Sequence, residues 1–345
     1  LITTGNPFFP FFNSLFKSSH WSKFEAAFYD YHAGLKGGLN EIDGLGIIEK
    51  LVDILILPFR TTLEPLGGWP IGPVFLIYAI LLFVVFRRLP RLARLFLWAS
   101  LFLFVVWGWT YRDNRFLLPV LALLSAVFGI GFGGLARLRV RATGYMITAL
   151  LLLLGYSCTS MVFNLVNDHN PFPVVSGRQS REDFLRQKIN YLPAFEFLNN
   201  PTLPEGKVLM VGEHRPYYCK REAVVSDWFN EPVIIRYLKE SGSVEAMVTR
   251  LKQEGIRYII LNDRELNLYR LFFNFRFLGE EDALIWLDKL KQGQLRDDAT
   301  GRQFENQVMS SPLFRDYREF LYSGRYLKKI YEVDERSDLL VLELL

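Results

Sequence analysis

The pattern of apolar and polar positions changes character twice along the chain. Residues 1–66 contain short amphipathic stretches, residues 67–163 contain long apolar blocks, and beyond residue 163 apolar and charged residues intermix as in a water-soluble domain. The blocks are 67–86, 95–111, 116–136 and 143–163, and none contains a charged residue. A helix of about 20 apolar residues crosses a hydrocarbon core of about 30 Å. Helices of a soluble core seldom go so long without a charge on some face. The pattern therefore predicts four transmembrane helices.

Before them lie SKFEAAFYDYHAGL (22–35) and GLGIIEKLVDILILPF (44–59). In the second, Ile47, Leu51, Ile54 and Leu55 recur at helical spacing while Glu49, Lys50 and Asp53 fall off that stripe. This is the pattern of a helix lying on a membrane surface, which Pro58 should end. Residues 1–66 thus read as an extracytoplasmic loop with interfacial helices. Such helices either cover the mouth of a bundle or frame the entry of an amphiphile.

Past Phe163 the aperiodic stretch 164–181, with its Asn, Pro, Gly and Ser, reads as a linker. A soluble α/β domain follows over 182–345. Its expected elements are a helix over 182–200, strands at 206–212, 221–227 and 257–263, and helices at PVIIRYLKES and 243–255. Ser243 caps the latter and Gly255 closes it. Residues 293–303 read as a mobile loop, 313–322 as a helix, and YLKKIYEV with DLLVLELL as a terminal hairpin. Strand, strand, helices, strand at these spacings predicts a partly parallel sheet. The fold class is accordingly a polytopic helical membrane region followed by a soluble α/β domain.

Charge adds the orientation. The chain of 345 residues carries a net +4 at pH 7. Much of the excess sits in two short loops, Arg87, Arg88, Arg91 and Arg94 in one and Arg137, Arg139 and Arg141 in the other. Short loops rich in Lys and Arg stay cytoplasmic, so residues 1–66, the loop 111–115 and the soluble domain should face outward. The excess reflects topology and does not call for nucleic acid as a partner. Cys158 lies in the last apolar block and Cys219 in the soluble part, a placement that predicts no disulfide.

The sequence contains no CxxC, HExxH, Walker loop or GxGxxG following a strand, and its His20, His32, His169 and His214 are scattered. Two polar clusters remain. GEHRPYYC (212–219) follows the first strand of the soluble domain, where open α/β sheets bind ligands; it reads equally as a surface loop. YRDNRFLLP (111–119) sets Tyr111, Arg112, Asp113 and Arg115 between two apolar blocks. There Arg115 either reaches a lipid phosphate with paired hydrogen bonds or snorkels at the interface.

The series GNPFFP (5–10), LILPFRTTLEP (55–65), IGPVFLIYAILL (71–82) and RFLLPVLALLSA (115–126), in this order, resembles the second half of polytopic glycosyltransferases of the GT-C superfamily. The branch is that of the protein O-mannosyltransferases and aminoarabinose transferases. KVLMVGEHRPYYCKREAVVSD and LKQEGIRYIILNDRELNL resemble soluble tails of bacterial members. The resemblance implies a multi-pass protein of the inner or plasma membrane, with its C-terminal domain extracytoplasmic. It also implies a polyprenyl-phosphate-type sugar donor, an acceptor that is a glycan, lipid or protein, and membrane lipid as surroundings. The transfer would be inverting and assisted by a carboxylate or a divalent metal. The family's acidic outer loop has no counterpart here and is expected upstream of Leu1, so the resemblance assigns no catalytic residue to this chain. Onto this sequence it carries Asn6 and Arg115 as substrate or lipid-phosphate residues, with Tyr111 beside them; Asp113 matches nothing in the family. Two other functions stay open: a non-enzymatic membrane-anchored binding or sensor protein working through its α/β domain, and half of a transporter. Polar groups in the apolar blocks are too sparse to favour the transporter.

Overall fold

The computed structural model describes residues 16, 18, 21–35, 47–63, 75–77, 86–109, 112–136, 141–227, 229–333 and 339–345. They form two compact units, one of Asp30–Pro173 and one of Leu1–Tyr29 with Val174–Leu345. Divisions at residues 66, 163 and 181 follow hydropathy. The units follow contact, which places the segment ending at Tyr29 with the α/β part.

The first helices are α1 (Lys23–Leu35), α2 (Ile47–Leu63), α3 (Arg91–Trp109), α4 (Leu118–Ala136) and α5 (Arg141–His169). Windows at Arg91–Gly108, Asn114–Gly131 and Ile147–Asn167 are long and apolar enough to cross a membrane. The expected block 67–86 lies almost wholly outside the described residues.

Helix α2 packs on α3 and α4 through Ile54 and Leu57, which meet Trp107, Leu117 and Val120 in one buried cluster. The close crossing needs Gly108, because a Cβ there would stand 2.7 Å from Leu57 Cδ1. One expectation for α2 fails. Pro58 does not end the helix, which runs on to Leu63 with the hydroxyls of Thr61 and Thr62 donating to the Pro58 carbonyl at 3.1 and 2.7 Å. Of the apolar stripe, Ile54 is buried while Leu51 and Leu55 are exposed.

The second unit continues with α6 (Arg181–Lys188) and α7 (Leu192–Leu198). These replace the single helix expected over 182–200, because Pro193 cannot donate within a helix and instead starts a new one. Strand β1 (Lys207–Val211) and the short β2 (Ala223–Val224) follow, then α8 (Val233–Ser241), α9 (Val244–Gln253) and β3 (Ile256–Asn262). Ser243 caps α9 by accepting from the Ala246 amide at 3.2 Å, as expected. After β3 come α10 (Asp263–Leu268), α11 (Arg270–Phe275), α12 (Glu280–Lys291), α13 (Asp298–Ser310) and α14 (Pro312–Tyr322). The loop expected over 293–303 is largely helix. Asp297 caps α13 by accepting the Thr300 amide at 3.0 Å, which turns the polar run DDATGRQ into a first turn.

Strands β4 (Leu327–Glu332) and β5 (Leu339–Leu344) complete a sheet of order β2-β1-β3-β5-β4. β1 is parallel to β2 and β3, whereas β5 is antiparallel to both β3 and β4. The connection over 334–338 lies outside the described residues. β1 and β3 are apolar along nearly their whole length because both faces are covered. Val208, Met210, Tyr258 and Ile260 meet Phe195 and Leu198 of α7 on one side, and α9 packs on β3.

The segment before Tyr29 is built into this unit. Phe24 packs on Phe275 and Phe28 on Phe229 and Phe272, with ring centroids 5.6, 6.3 and 4.8 Å apart. The Glu280 carboxylate accepts from the amides of Lys23 and Phe24 at the start of α1, where the helix dipole favours an anion. Glu25 pairs with Arg276 at 3.4 Å, both side chains buried.

Candidate functional sites

Each unit contains an acid-x-Arg loop in which a buried carboxylate holds an exposed guanidinium. In the α/β unit the loop begins where β1 ends. Gly212 turns the chain with φ 75°, and a Cβ there would stand 2.5 Å from the Asn262 carbonyl oxygen at the end of β3. No larger residue fits that approach. Glu213 then points inward and is fully buried, accepting at one oxygen from the amides of His214 and Arg215 at 3.0 and 3.1 Å. Asn262 donates to its other oxygen at 3.0 Å.

The Arg215 guanidinium completes the set with a forked pair to Glu213, Nε at 2.6 Å and Nη2 at 2.9 Å. Its side chain is nonetheless 48% exposed, lies 4.3 Å over the Tyr191 ring and reaches Glu265 at 3.3 Å. Donation to the Glu213 carboxylate holds the Arg215 pKa above its ordinary range, and burial raises that of the Tyr191 phenol.

In the other unit the loop lies between α3 and α4. The fully buried Asp113 accepts from the Arg115 amide at 3.0 Å and from its guanidinium at Nε, 3.1 Å, and Nη2, 2.7 Å. Trp107 of α3 donates to the Asp113 carbonyl at 2.9 Å. Arg112 turns the opposite way and is buried, donating to the Gly108 carbonyl at 2.8 Å and pairing with Asp53 of α2 at 2.6 Å. Asp53 also receives Arg60 at 3.2 Å. One polar cluster thus ties α2 to the α3–α4 turn, in a low-dielectric setting where removing one partner of a pair is costly. Above it the Arg115 side chain is 75% exposed, beside exposed Phe116 and Leu118.

Of the residues expected at a site, Arg115 is placed as described, whereas Asn6 and Tyr111 lie outside the described residues. The sequence singled out Asp113 and Glu213 only as cluster members. Their burial and their hold on the arginine two positions later were not legible, because either side chain could equally have faced water. Asp53 shares α2 with Glu49, Lys50 and Arg60, so its charge alone marks a polar face and not the buried pair with Arg112. The partnership of Glu25 with Arg276 spans the chain and left no local trace.

At the carboxyl ends of β1 and β2 a small cavity of about 30 Å³ is lined by Gly212, His214, Asp227, Phe272 and Arg276 among others. The His214 ring meets the Ser226 carbonyl through Nδ1. Arg276 donates to the Phe229 carbonyl at 2.6 Å, and burial lowers its pKa despite Glu25, Glu231 and Asp227 nearby. Among the described residues no group of three His, Cys, Asp or Glu side chains is placed to hold a metal ion. No protein-family model matches the chain, and no curated protein matches it.

Proposed function

We propose that the chain is the carboxyl-terminal part of a membrane glycosyltransferase that takes a sugar from a polyprenyl-phosphate-type donor and passes it to an extracytoplasmic acceptor. The observation that carries the reading is Arg115. An exposed guanidinium, aligned by a buried carboxylate, stands at the head of the apolar helix α4 among exposed apolar side chains. This is the setting in which a lipid phosphate would meet a cation. The ordered sequence motifs that resemble GT-C enzymes support the same reading.

In such a transfer the acceptor hydroxyl attacks the anomeric carbon. The bond from that carbon to the phosphate oxygen breaks, its electron pair leaves with the lipid phosphate, and the hydroxyl's proton passes to the departing phosphate or to water. Arg115 would stabilise the charge that gathers on this leaving group. Asp113 is committed to holding Arg115 and to the turn, so it is assigned no role as base. The finer topology, with four spans, α2 at the membrane surface and the α/β unit outside the cytoplasm, belongs to this proposal.

The test uses the full chain in lipid nanodiscs with a polyprenyl phosphate as probe. Arg115→Ala should weaken binding by about tenfold, the cost of roughly one charge-assisted hydrogen bond, and Arg115→Lys should restore part of it. Equal affinity in all three forms would reject the role of Arg115. The crevice at the strand ends favours a second reading, a membrane-anchored binding protein. That reading predicts ligand binding by the α/β unit with no dependence on Arg115.

A further inference from the structure

We propose that the α/β unit binds a neutral sugar in the crevice outside the carboxyl ends of its parallel strands, with one hydroxymethyl arm entering the cavity beside His214, Asp227 and Arg276. The topology points to this place. From β1 the chain goes to β2 on one side and then, through α8 and α9, to β3 on the other. In open α/β sheets such a reversal of direction leaves a crevice at the strand ends, where ligands bind. Gly212 stands at that point, in a conformation and a packing that only glycine meets.

The cavity's size and lining select the ligand. A volume of about 30 Å³ holds roughly two waters by the same measure, and so one short polar arm rather than a whole ring. Its polar lining is an imidazole, a carboxylate and a guanidinium, with the Phe272 and Phe273 rings alongside. Alternating donors and acceptors beside aromatic faces suit hydroxyls on an apolar carbon frame. An anion is disfavoured. The buried Arg276 already pairs with Glu25, and Asp227 and Glu231 also lie near it, so a phosphate or carboxylate would meet more negative charge than positive.

The part such a sugar would play as acceptor rests on the transferase reading; its binding does not. The full chain in nanodiscs is titrated with methyl hexopyranosides, with their 6-deoxy analogues and with inorganic phosphate, and binding is followed by calorimetry. At least one hexoside should bind, its 6-deoxy form at least tenfold more weakly because it lacks the hydroxyl that enters the cavity, and phosphate not at all. His214→Ala should weaken the hexoside about tenfold; because it also removes the contact to the Ser226 carbonyl, the thermal transition is recorded alongside to show that the unit stays folded at the titration temperature. Arg115→Ala should leave it unchanged, which separates this inference from the lipid-phosphate role. The proposal is overturned if no hexoside binds at about 50 mM, if phosphate binds in its place, if the 6-deoxy forms bind equally, or if His214→Ala has no effect.

Discussion

Along α5, Leu152, Tyr156 and Met161 stand exposed, whereas in the α/β unit Val208, Leu209, Ile259 and Ile260 are enclosed. Among the described residues of the α5 span Ile147–Asn167, none is buried within the chain. Both regions contain runs of apolar side chains but differ in how far the described residues cover them. In one the chain covers them; in the other, exposed apolar faces lie on helices long and apolar enough to cross a membrane. Polar groups reverse the similarity. Both units bury an acid, Asp113 or Glu213, and use it in the same way: to accept the amide and the guanidinium of the arginine two positions on. Coverage of apolar side chains thus differs between the units, while the buried carboxylates of Asp113 and Glu213 are satisfied in the same local way.

The largest expected effect lies at the pair joining α1 to the α/β unit. Glu25→Ala should destabilise that unit by about 3–5 kcal/mol in denaturant titration, because it leaves Arg276 buried without its partner. The double variant Glu25→Leu with Arg276→Met should recover most of the loss. A loss below about 1 kcal/mol for the single variant would mean that the segment before Tyr29 does not belong to this core.

The next prediction puts the contrast between the two regions directly at risk. Leu152→Arg, at an exposed position in the middle of α5, should disfavour membrane insertion by about 2.5–3.5 kcal/mol in a translocation assay. Ile285→Arg, as exposed but on α12, should change stability by no more than about 0.5 kcal/mol. Equal effects would erase the distinction between the units.

The shared loop is tested by Asp113→Asn and Glu213→Gln, which keep shape and remove charge. Each should cost about 1–3 kcal/mol, with Glu213→Gln the larger because Asn262 also donates to that carboxylate. A loss in one unit only would break the parallel.

The smallest effect is the response to acid of the α/β unit. Hydroxyls of Tyr237 and Tyr326 hold the carboxyls of Glu254 and Glu245 below their ordinary value of 4.5. A depressed carboxyl stabilises the fold above its unfolded pKa and loses that contribution as pH falls through the folded one. The thermal transition should therefore drop slightly below about pH 4.5, and Tyr326→Phe should flatten that drop.

The sequence by itself determined the apolar spans, since an uncharged stretch of membrane length needs no partner to be recognised. It also determined β1, β3 and α9 with its Ser243 cap, because strand hydrophobicity and capping act over a few residues. Only the tertiary structure decided the rest. It carried α2 past Pro58, turned Asp297 into a cap where a loop was expected, and buried Glu25 against a residue 251 positions away. It also turned the acids of two acid-x-Arg triplets inward. Burial of a polar side chain is settled by the partners that surround it, and those partners come from distant parts of the chain that local pattern does not connect.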